Sequence, residues 1–123
     1  MASGVYNFQN TARSRTACEQ GATFRRKVTL LDPDRVAVNL AGYTARMQIR
    51  DPKRNTLICS LTTENGRISI DAENGVLMLE IGATVTETLQ IGLFLYDLEL
   101  VASVDSVTRL LEGKFQVTRN VTL

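Results

Sequence analysis

The sequence predicts an all-β protein built as an antiparallel β-sandwich, with seven or eight strands and at most one short helical turn. Apolar and polar residues alternate with a period of two along most of the chain. This alternation is typical of strands that have one buried face and one solvated face. Turn sequences separate the alternating runs at intervals of roughly 8 to 12 residues, and no long helical pattern accompanies them.

Seven stretches carry the alternating pattern. In each, β-branched, aliphatic or aromatic side chains recur at every second position, and these residue types suit a half-buried strand. The stretches cover residues 24–31, 43–50, 56–63, 67–70, 76–81, 92–101 and 107–118.

Turn chemistry fills the spaces between these stretches. Asn65-Gly66 and Asn74-Gly75 favour tight hairpins because Asn-Gly accepts positive φ at both central positions. Proline follows an acidic residue in LDPD (31–34) and in RDPKRN (50–55), which also indicates turns. The segment GATVTETLQ (82–90) is short and rich in threonine, so we expect a single helical turn there at most.

The last two stretches predict a long hairpin with a turn near residues 103–106. Its first strand directs Asp97 and Glu99 to the solvated face, where Glu99 is expected to lie opposite Arg109. The consecutive Leu110 and Leu111 break the alternation, which predicts a bulge near Glu112-Gly113. We expect Phe94, Tyr96, Leu98 and Leu100 to face the core.

Domain organisation follows from length and from the change in pattern near residue 20. A chain of 123 residues suits one domain with a substantial core. Residues 1–20 have no clear periodicity and few large apolar groups, so they predict an N-terminal arm or loop. Residues 21–123 predict a single β-sandwich domain.

The residue types give no support to an enzyme. Histidine is absent, which excludes a Ser-His-Asp or Cys-His arrangement within this chain. Paired carboxylates such as Asp97/Glu99 fall on solvated strand faces, where solubility explains them. We therefore expect no catalytic residues, no cofactor and no small-molecule substrate.

The two cysteines, Cys18 and Cys59, predict neither a metal site nor a required disulfide. The chain has no CxxC pair and no histidine, so no metal site is expected. A disulfide would need the two Cα atoms within about 7 Å. The first residues lack the basic and apolar regions of a secretory signal, so we expect two reduced, buried thiols.

The charge distribution is balanced overall but uneven along the chain. The formal net charge is +1, which gives no reason to expect nucleic acid as a partner, and no apolar run is long enough to span a membrane. Residues 1–61 hold ten basic and four acidic groups, whereas residues 62–123 hold four basic and nine acidic groups. The imbalance either cancels within the monomer or supports contacts between copies or with a neighbour. The residues that we expect to make such contacts are Arg13, Arg15, Arg25, Arg26, Asp97, Glu99 and Arg109.

Four stretches resemble a family of small structural proteins of tailed bacteriophages. They are EQGATFRRKVTL (19–30), NLAGYTARMQIRD (39–51), TTENGRISI (62–70) and YDLELVASVDSVTRLLEGKFQVTRNVT (96–122). The resemblance extends to the immunoglobulin-like N-terminal domain of phage baseplate upper proteins. This chain departs from the family at residues 10–18, which resemble an insertion, and at its end, which reads TRNVTL instead of the usual Ser-Pro close.

The resemblance implies an immunoglobulin-like sandwich in the virion, assembled in the bacterial host cytoplasm. Its partners would be other phage structural proteins and copies of itself. Three functional hypotheses follow: a tail or baseplate module that adapts or anchors fibres, a capsid-decorating or cement protein, and a carbohydrate-binding module. The third is disfavoured because sugar-binding faces use exposed aromatics, and the chain has no Trp and three Tyr.

Overall fold

A computed structural model describes residues 5–8 and 15–119 of the chain, and it describes side chains from residue 17 onward. The described part contains nine strands and one short helix. In chain order these are β1 Val5–Phe8, β2 Arg15–Glu19, β3 Phe24–Leu31, β4 Thr44–Asp51, β5 Thr56–Thr62, β6 Ile68–Asp71, β7 Val76–Ile81, α1 Ala83–Thr86, β8 Gly92–Ser103 and β9 Ser106–Thr118.

The strands form two sheets packed as a sandwich. One sheet has four strands in the order β1-β3-β7-β6, and the other has five in the order β2-β9-β8-β4-β5. The strands β1-β3-β7-β6 and β9-β8-β4 have the order of the seven-stranded immunoglobulin sandwich, and β2 and β5 are two additional edge strands of the second sheet. Every described pairing of strands is antiparallel except that of β2 with β9, which is parallel.

The sandwich confirms the predicted fold class. The seven alternating stretches are the strands β3 to β9, with ends within two residues of the predicted ones. The single helical turn also occurs, as α1. Period-two alternation identified these strands because each of them packs one face on the core and exposes the other.

Inward side chains of both sheets form one continuous core. Phe24 of β3 and Phe115 of β9 meet across the two sheets, edge to face, with ring centroids 5.2 Å apart. The predicted inward face of β8 is confirmed, because its four large residues are all buried. Other buried members of the core are Val28, Leu30, Ala45, Met47, Ile49, Leu61, Ile68, Leu77, Leu79, Ile81 and Val117.

The N-terminal segment differs from the predicted arm or loop. Strand β1 pairs with β3 at the edge of the four-stranded sheet, and β2 pairs with β9 at the edge of the five-stranded sheet. Cys18 of β2 is buried in the core. Both are short edge strands of four and five residues, and strands of this length leave little side-chain periodicity in the sequence.

The two Asn-Gly turns differ from each other and from the prediction. Gly66 and Gly75 have positive φ, at 82° and 64°, but Asn65 and Asn74 do not. The first turn does not close a hairpin, because it carries the chain from β5 in one sheet to β6 in the other. The second joins β6 and β7, which are hydrogen-bonded neighbours.

The β8–β9 hairpin has the predicted turn, with Ser103 opposite Ser106, but its bulge lies elsewhere. The register passes from Leu98 opposite Leu111 to Glu99 opposite Arg109, so Leu110 is the extra residue. The bulge therefore precedes the predicted Glu112-Gly113 position. It allows Leu110 to be buried within a pattern that would otherwise alternate.

Thr86 anchors α1 and the β7–β8 connection to the start of β3. Its Oγ1 accepts a hydrogen bond from the Gly21 backbone N–H at 3.1 Å and donates to the Ala22 carbonyl oxygen at 2.8 Å. Among the described residues it is the polar side chain that is fully buried. The threonine-rich segment predicted as a single helical turn thus also supplies a buried, hydrogen-bonded hydroxyl.

Candidate functional site

The outward side chains of β5, β4, β8 and β9 form a continuous surface, called here the outer face. Strand pairing aligns them in three parallel rows, because cross-strand partners lie side by side on one face of a sheet. The basic row consists of Leu57, Arg50, Leu95 and Lys114. The acidic row consists of Ser60, Gln48, Asp97 and Glu112. The mixed row consists of Thr62, Arg46, Glu99 and Arg109.

Ion pairs connect the acidic row with the mixed row. The Arg46 Nε atom lies 2.7 Å from an oxygen of Glu99 within the mixed row. Arg109 contacts Glu112 at 3.1 Å and Asp97 at a longer 3.7 Å. These side chains remain partly or largely exposed, so each pair contributes on the order of 0–1 kcal/mol to stability. Their main effect is to fix the pattern of charge on the surface.

The basic row has a different environment. Arg50 donates from Nε to the Gln48 side-chain oxygen at 3.2 Å and from Nη1 to the Asn55 carbonyl oxygen at 3.4 Å. Within the described part of the chain, neither Arg50 nor Lys114 lies within ion-pair distance of a carboxylate. Within the described residues, the basic row therefore presents two cations without an ion-pair partner.

Aliphatic side chains lie among these charges. Leu57 and Leu95 of the basic row are 49% and 47% exposed, and Leu93, the next outward residue of β8, is 47% exposed. Large apolar groups half-exposed on a sheet face are typical of surfaces that become covered in an assembly. The outer face thus combines apolar area with fixed charge.

A shallow depression of about 530 Å³ lies where the basic and acidic rows meet. It is open to solvent, and both cations and carboxylates line it, so it suits the side chains of another protein better than an enclosed ligand. Its lining residues include Gln48, Arg50, Asn55, Leu95, Asp97, Arg109, Glu112 and Lys114.

The structure brings together three of the residues predicted to make contacts. Asp97, Glu99 and Arg109 all belong to the outer face. The predicted opposition of Glu99 and Arg109 is confirmed by the register. Their ion pairs are distributed differently, however, since Glu99 pairs with Arg46 while Arg109 pairs with the acidic row.

Arg25 lies apart from this face, whereas the backbone of Arg15 adjoins it. Arg25 is on the outer surface of the four-stranded sheet, where it forms an ion pair with Glu80 at 2.9 Å. Arg15 pairs with Lys114 through its backbone position in β2, and its side chain is not described. Arg13 lies outside the described residues.

The Arg26 side chain points inward, and its contacts are with residues of the fold itself. Its guanidinium lies 4.7 Å from the centroid of the Phe24 ring and donates to the Ala17 carbonyl oxygen at 2.8 Å. Burial lowers the pKa of the guanidinium, and the neighbouring Cys18 raises it. These contacts join β3 of one sheet to β2 of the other, so Arg26 contributes to closing the sandwich.

Both cysteines are buried, as expected, and they are free thiols in the structure. Burial raises the pKa of Cys18 to about 11, an effect that Arg26 partly opposes. Burial also raises the pKa of Cys59, while nearby Arg67 lowers it. Thiols with raised pKa are poor nucleophiles, so they act here as small apolar residues. In the described part of the chain, no three His, Cys, Asp or Glu side chains group as a metal site, and no helix there has the length and apolarity to span a membrane.

Sequence analysis did not identify Arg46, Arg50, Leu57, Leu95 and Lys114 as site residues. Each is unremarkable within its own strand. Their common feature is the cross-strand register, which brings four separate strands into rows. Arg46, Arg50, Leu95 and Lys114 occupy outward positions of alternating stretches. Leu57 comes to the outer face only through the register shift between β4 and β5, which strict alternation does not predict.

Comparison with known proteins supports the fold alone. No family model matches the chain, and no curated protein matches it. Among solved structures, 245 chains match. One of them comes from the work described as "Structural basis of T cell specificity and activation by the bacterial superantigen toxic shock syndrome toxin-1". It aligns with 94% of this chain and 100% of its own length, at a TM-score of 0.54 and 14% identity. A likeness at this identity establishes a shared β-sandwich architecture and carries no function.

Proposed function

We propose that this protein is a non-enzymatic structural protein of a tailed-bacteriophage virion, a tail or baseplate module that acts by protein–protein contact. The observation that carries the proposal is the outer face, on which half-exposed leucines lie between fixed rows of charge. The sandwich holds this face rigid, and the rows give it a pattern that a partner can complement.

The composition of the outer face supports contact as its role. Apolar side chains supply area that becomes favourable when it leaves water, at about 25 cal/mol per Å². Charged rows contribute specificity, because a partner with the opposite pattern is attracted and one with the same pattern is repelled. Leu95 lies between Arg50 and Lys114 in the basic row, so both effects operate at one place.

The phage assignment is supported by the resemblance of residues 19–30, 39–51, 62–70 and 96–122 to small virion proteins. Three of these stretches include or adjoin strands of the outer face. The predicted partners are accordingly other structural proteins of the particle. The tail or baseplate position follows from the likeness to baseplate upper proteins.

Labelling of intact particles tests the proposal. Antibodies against this chain should mark virions of the phage whose genome encodes it, and electron microscopy should place the label on the tail or baseplate. Label on the head would instead support a capsid-decorating protein. Purified virions that lack the chain by mass spectrometry would refute a structural role.

A second experiment tests the outer face itself. Leu95→Asp should reduce incorporation of the protein into particles, because it places a charge at the centre of the contact surface. Val104→Asp is the matched control, since Val104 is 95% exposed at the tip of the β8–β9 turn. If Val104→Asp lost incorporation and Leu95→Asp did not, the contact surface would be the tip of the turn and not the outer face.

A further inference from the structure

We infer that the outer face binds the same face of a second copy of this chain, around a two-fold axis that runs parallel to the rows and between the basic and acidic rows. This inference rests on the proposed role of the outer face as a contact surface and names its partner. A two-fold interface requires a surface that complements itself. The two neighbouring rows of opposite charge provide that property.

The geometry selects this axis. Successive outward residues of a strand are about 7 Å apart, so the basic and acidic rows are separated by that distance. An axis between them exchanges the rows, so that each basic row faces the partner's acidic row. An axis parallel to the strands would place every row against its own copy. An axis along the basic or the acidic row would place that row against its own copy, so like charges would be opposed in each case.

The charges fit this exchange. Lys114 of each copy would lie over Glu112 of the other, which gives two equivalent ion pairs. Arg50 would lie close to the partner's Asp97, one strand away and within reach of a long side chain. Within the described residues, Lys114 and Arg50 have no carboxylate partner in the monomer. Glu112 is 69% exposed and remains accessible beside Arg109.

Apolar groups would be covered by the same arrangement. Leu95 of each copy lies on the central strand beside the axis, so it would face the partner's Asp97, with the partner's Leu95 one row away. Leu57 and Leu93 extend the apolar area toward the edge of the face and along β8. Covering these side chains supplies the attraction, while the charged rows set the orientation.

The β5 edge of the five-stranded sheet is less suited to pairing than the outer face. The Arg67 guanidinium and the Asn65 amide both donate to the Ser60 carbonyl oxygen, at 2.9 and 3.0 Å. The Asn65 side-chain oxygen also accepts from the Thr62 backbone N–H at 3.0 Å. These contacts occupy backbone groups of β5 that an added strand would need. The contact between copies is therefore assigned to the face.

A charge exchange tests the inference on the full chain. Analytical ultracentrifugation of the wild-type protein should show a monomer–dimer equilibrium that weakens as salt increases. Lys114→Glu places two acidic rows against each other, and Glu112→Lys opposes two cations, so each variant should weaken dimerisation by about tenfold or more. An equimolar mixture of the two variants should restore the dimer, because opposite charges then face each other at both contacts.

Lys27→Glu serves as the matched control. Lys27 is exposed on the outer surface of the four-stranded sheet, so its reversal should leave the dimer unchanged. Rescue in the mixture also shows that both variants fold. A wild-type protein that is monomeric at all accessible concentrations would overturn the inference, as would a mixture without rescue. If the protein is monomeric but is found in virions, the dimer is refuted and the proposed function stands. If it is dimeric but absent from virions, the proposed function is refuted and the dimer stands.

Discussion

Thr86 shows how much a single buried hydroxyl contributes to this fold. Its side chain joins the β7–β8 connection to the residues that precede β3, through contacts with Gly21 and Ala22. The segments are more than 60 positions apart in sequence. A buried hydroxyl of this kind holds distant segments together because its loss leaves backbone groups without partners.

Replacing Thr86 by Val should lower the free energy of unfolding by about 1–3 kcal/mol, since the shape is kept and the hydrogen bonds are lost. Urea denaturation of the two proteins measures the difference. Thr86→Ser is the control, because it keeps the hydroxyl and should lose less. Equal stability of the Val variant and the wild type would show that the hydroxyl is not needed.

Cys18 gives a prediction about alkaline pH. Burial raises its pKa from an ordinary 9.0 to about 11, so the thiol stays neutral in the folded protein while it ionises in the unfolded chain. Stability from this group is complete below pH 9 and should be lost as pH rises toward about 11.

Urea denaturation of the reduced protein at several pH values between 9 and 11 measures this loss. Cys18→Ala should show a shallower decline, because the variant lacks the titrating thiol. The comparison removes contributions from lysine and tyrosine, which both proteins share. Parallel curves for the two proteins would contradict the prediction.

Among the structural elements, the two Asn-Gly turns share one sequence signal but form different structures. A Cβ atom added at Gly75 would lie 2.7 Å from the Leu30 carbonyl oxygen and 2.9 Å from that of Val38. At Gly66, nothing lies within 4 Å of such an atom. Both residues have positive φ, so they share the conformational cost of a side chain but differ in available space.

Gly66→Ala should therefore cost about 1–2 kcal/mol, the cost of a left-handed backbone. Gly75→Ala should cost roughly a further 1–3 kcal/mol, because backbone atoms must also move. Thermal and chemical unfolding of both variants tests the order. If the Gly75 variant were as stable as the Gly66 variant, the backbone between β3 and β4 would be able to move away from the added Cβ atom at little cost.

Strands were predictable from sequence where side chains decide their position. Phe24–Leu31 and Val76–Ile81 occupy the predicted residues because each alternates between core and solvent. The edge strand Arg15–Glu19 was not predicted, since its place depends on parallel backbone pairing with β9. The bulge at Leu110 was misplaced because a doubled leucine shows that alternation fails without showing which residue is extra.

At the scale of the whole molecule, β2 closes the sandwich. The Arg26 guanidinium donates a hydrogen bond to the Ala17 carbonyl oxygen of this strand. Gln20, which directly follows β2, donates from its backbone N–H to the Thr118 carbonyl oxygen at 3.0 Å. The Gln20 side chain also donates to the Leu89 carbonyl oxygen at 2.8 Å. With Cys18 buried, this strand connects β3, β9 and the β7–β8 connection.

Two truncations should measure the contribution of β2. A chain beginning at Gly21 should be less stable than one beginning at Arg15 by roughly 2–4 kcal/mol, because it loses the hydrogen bonds between β2 and β9, those of Ala17 and Gln20, and one buried side chain. Differential scanning calorimetry of both measures this. Equal melting temperatures would indicate that β2 is dispensable.

The outer face could be predicted only in part. Asp97, Glu99 and Arg109 were identified because they are charged residues on the solvated side of one hairpin. Arg50 and Lys114 come from strands more than 60 positions apart, and only pairing through β8 brings them into one row with Leu95. Periodicity within a strand gives the face of each residue, whereas position along a row depends on register between strands.

The parallel pairing of β2 with β9 also determines how the fold would respond to pulling. The start of β2 and the end of β9 lie at opposite ends of the same strand pair. Tension applied there would load the hydrogen bonds between the two strands in shear, so several would have to break together instead of opening one after another. A protein pulled at its ends in this way would resist mechanical extension until β2 slid past β9.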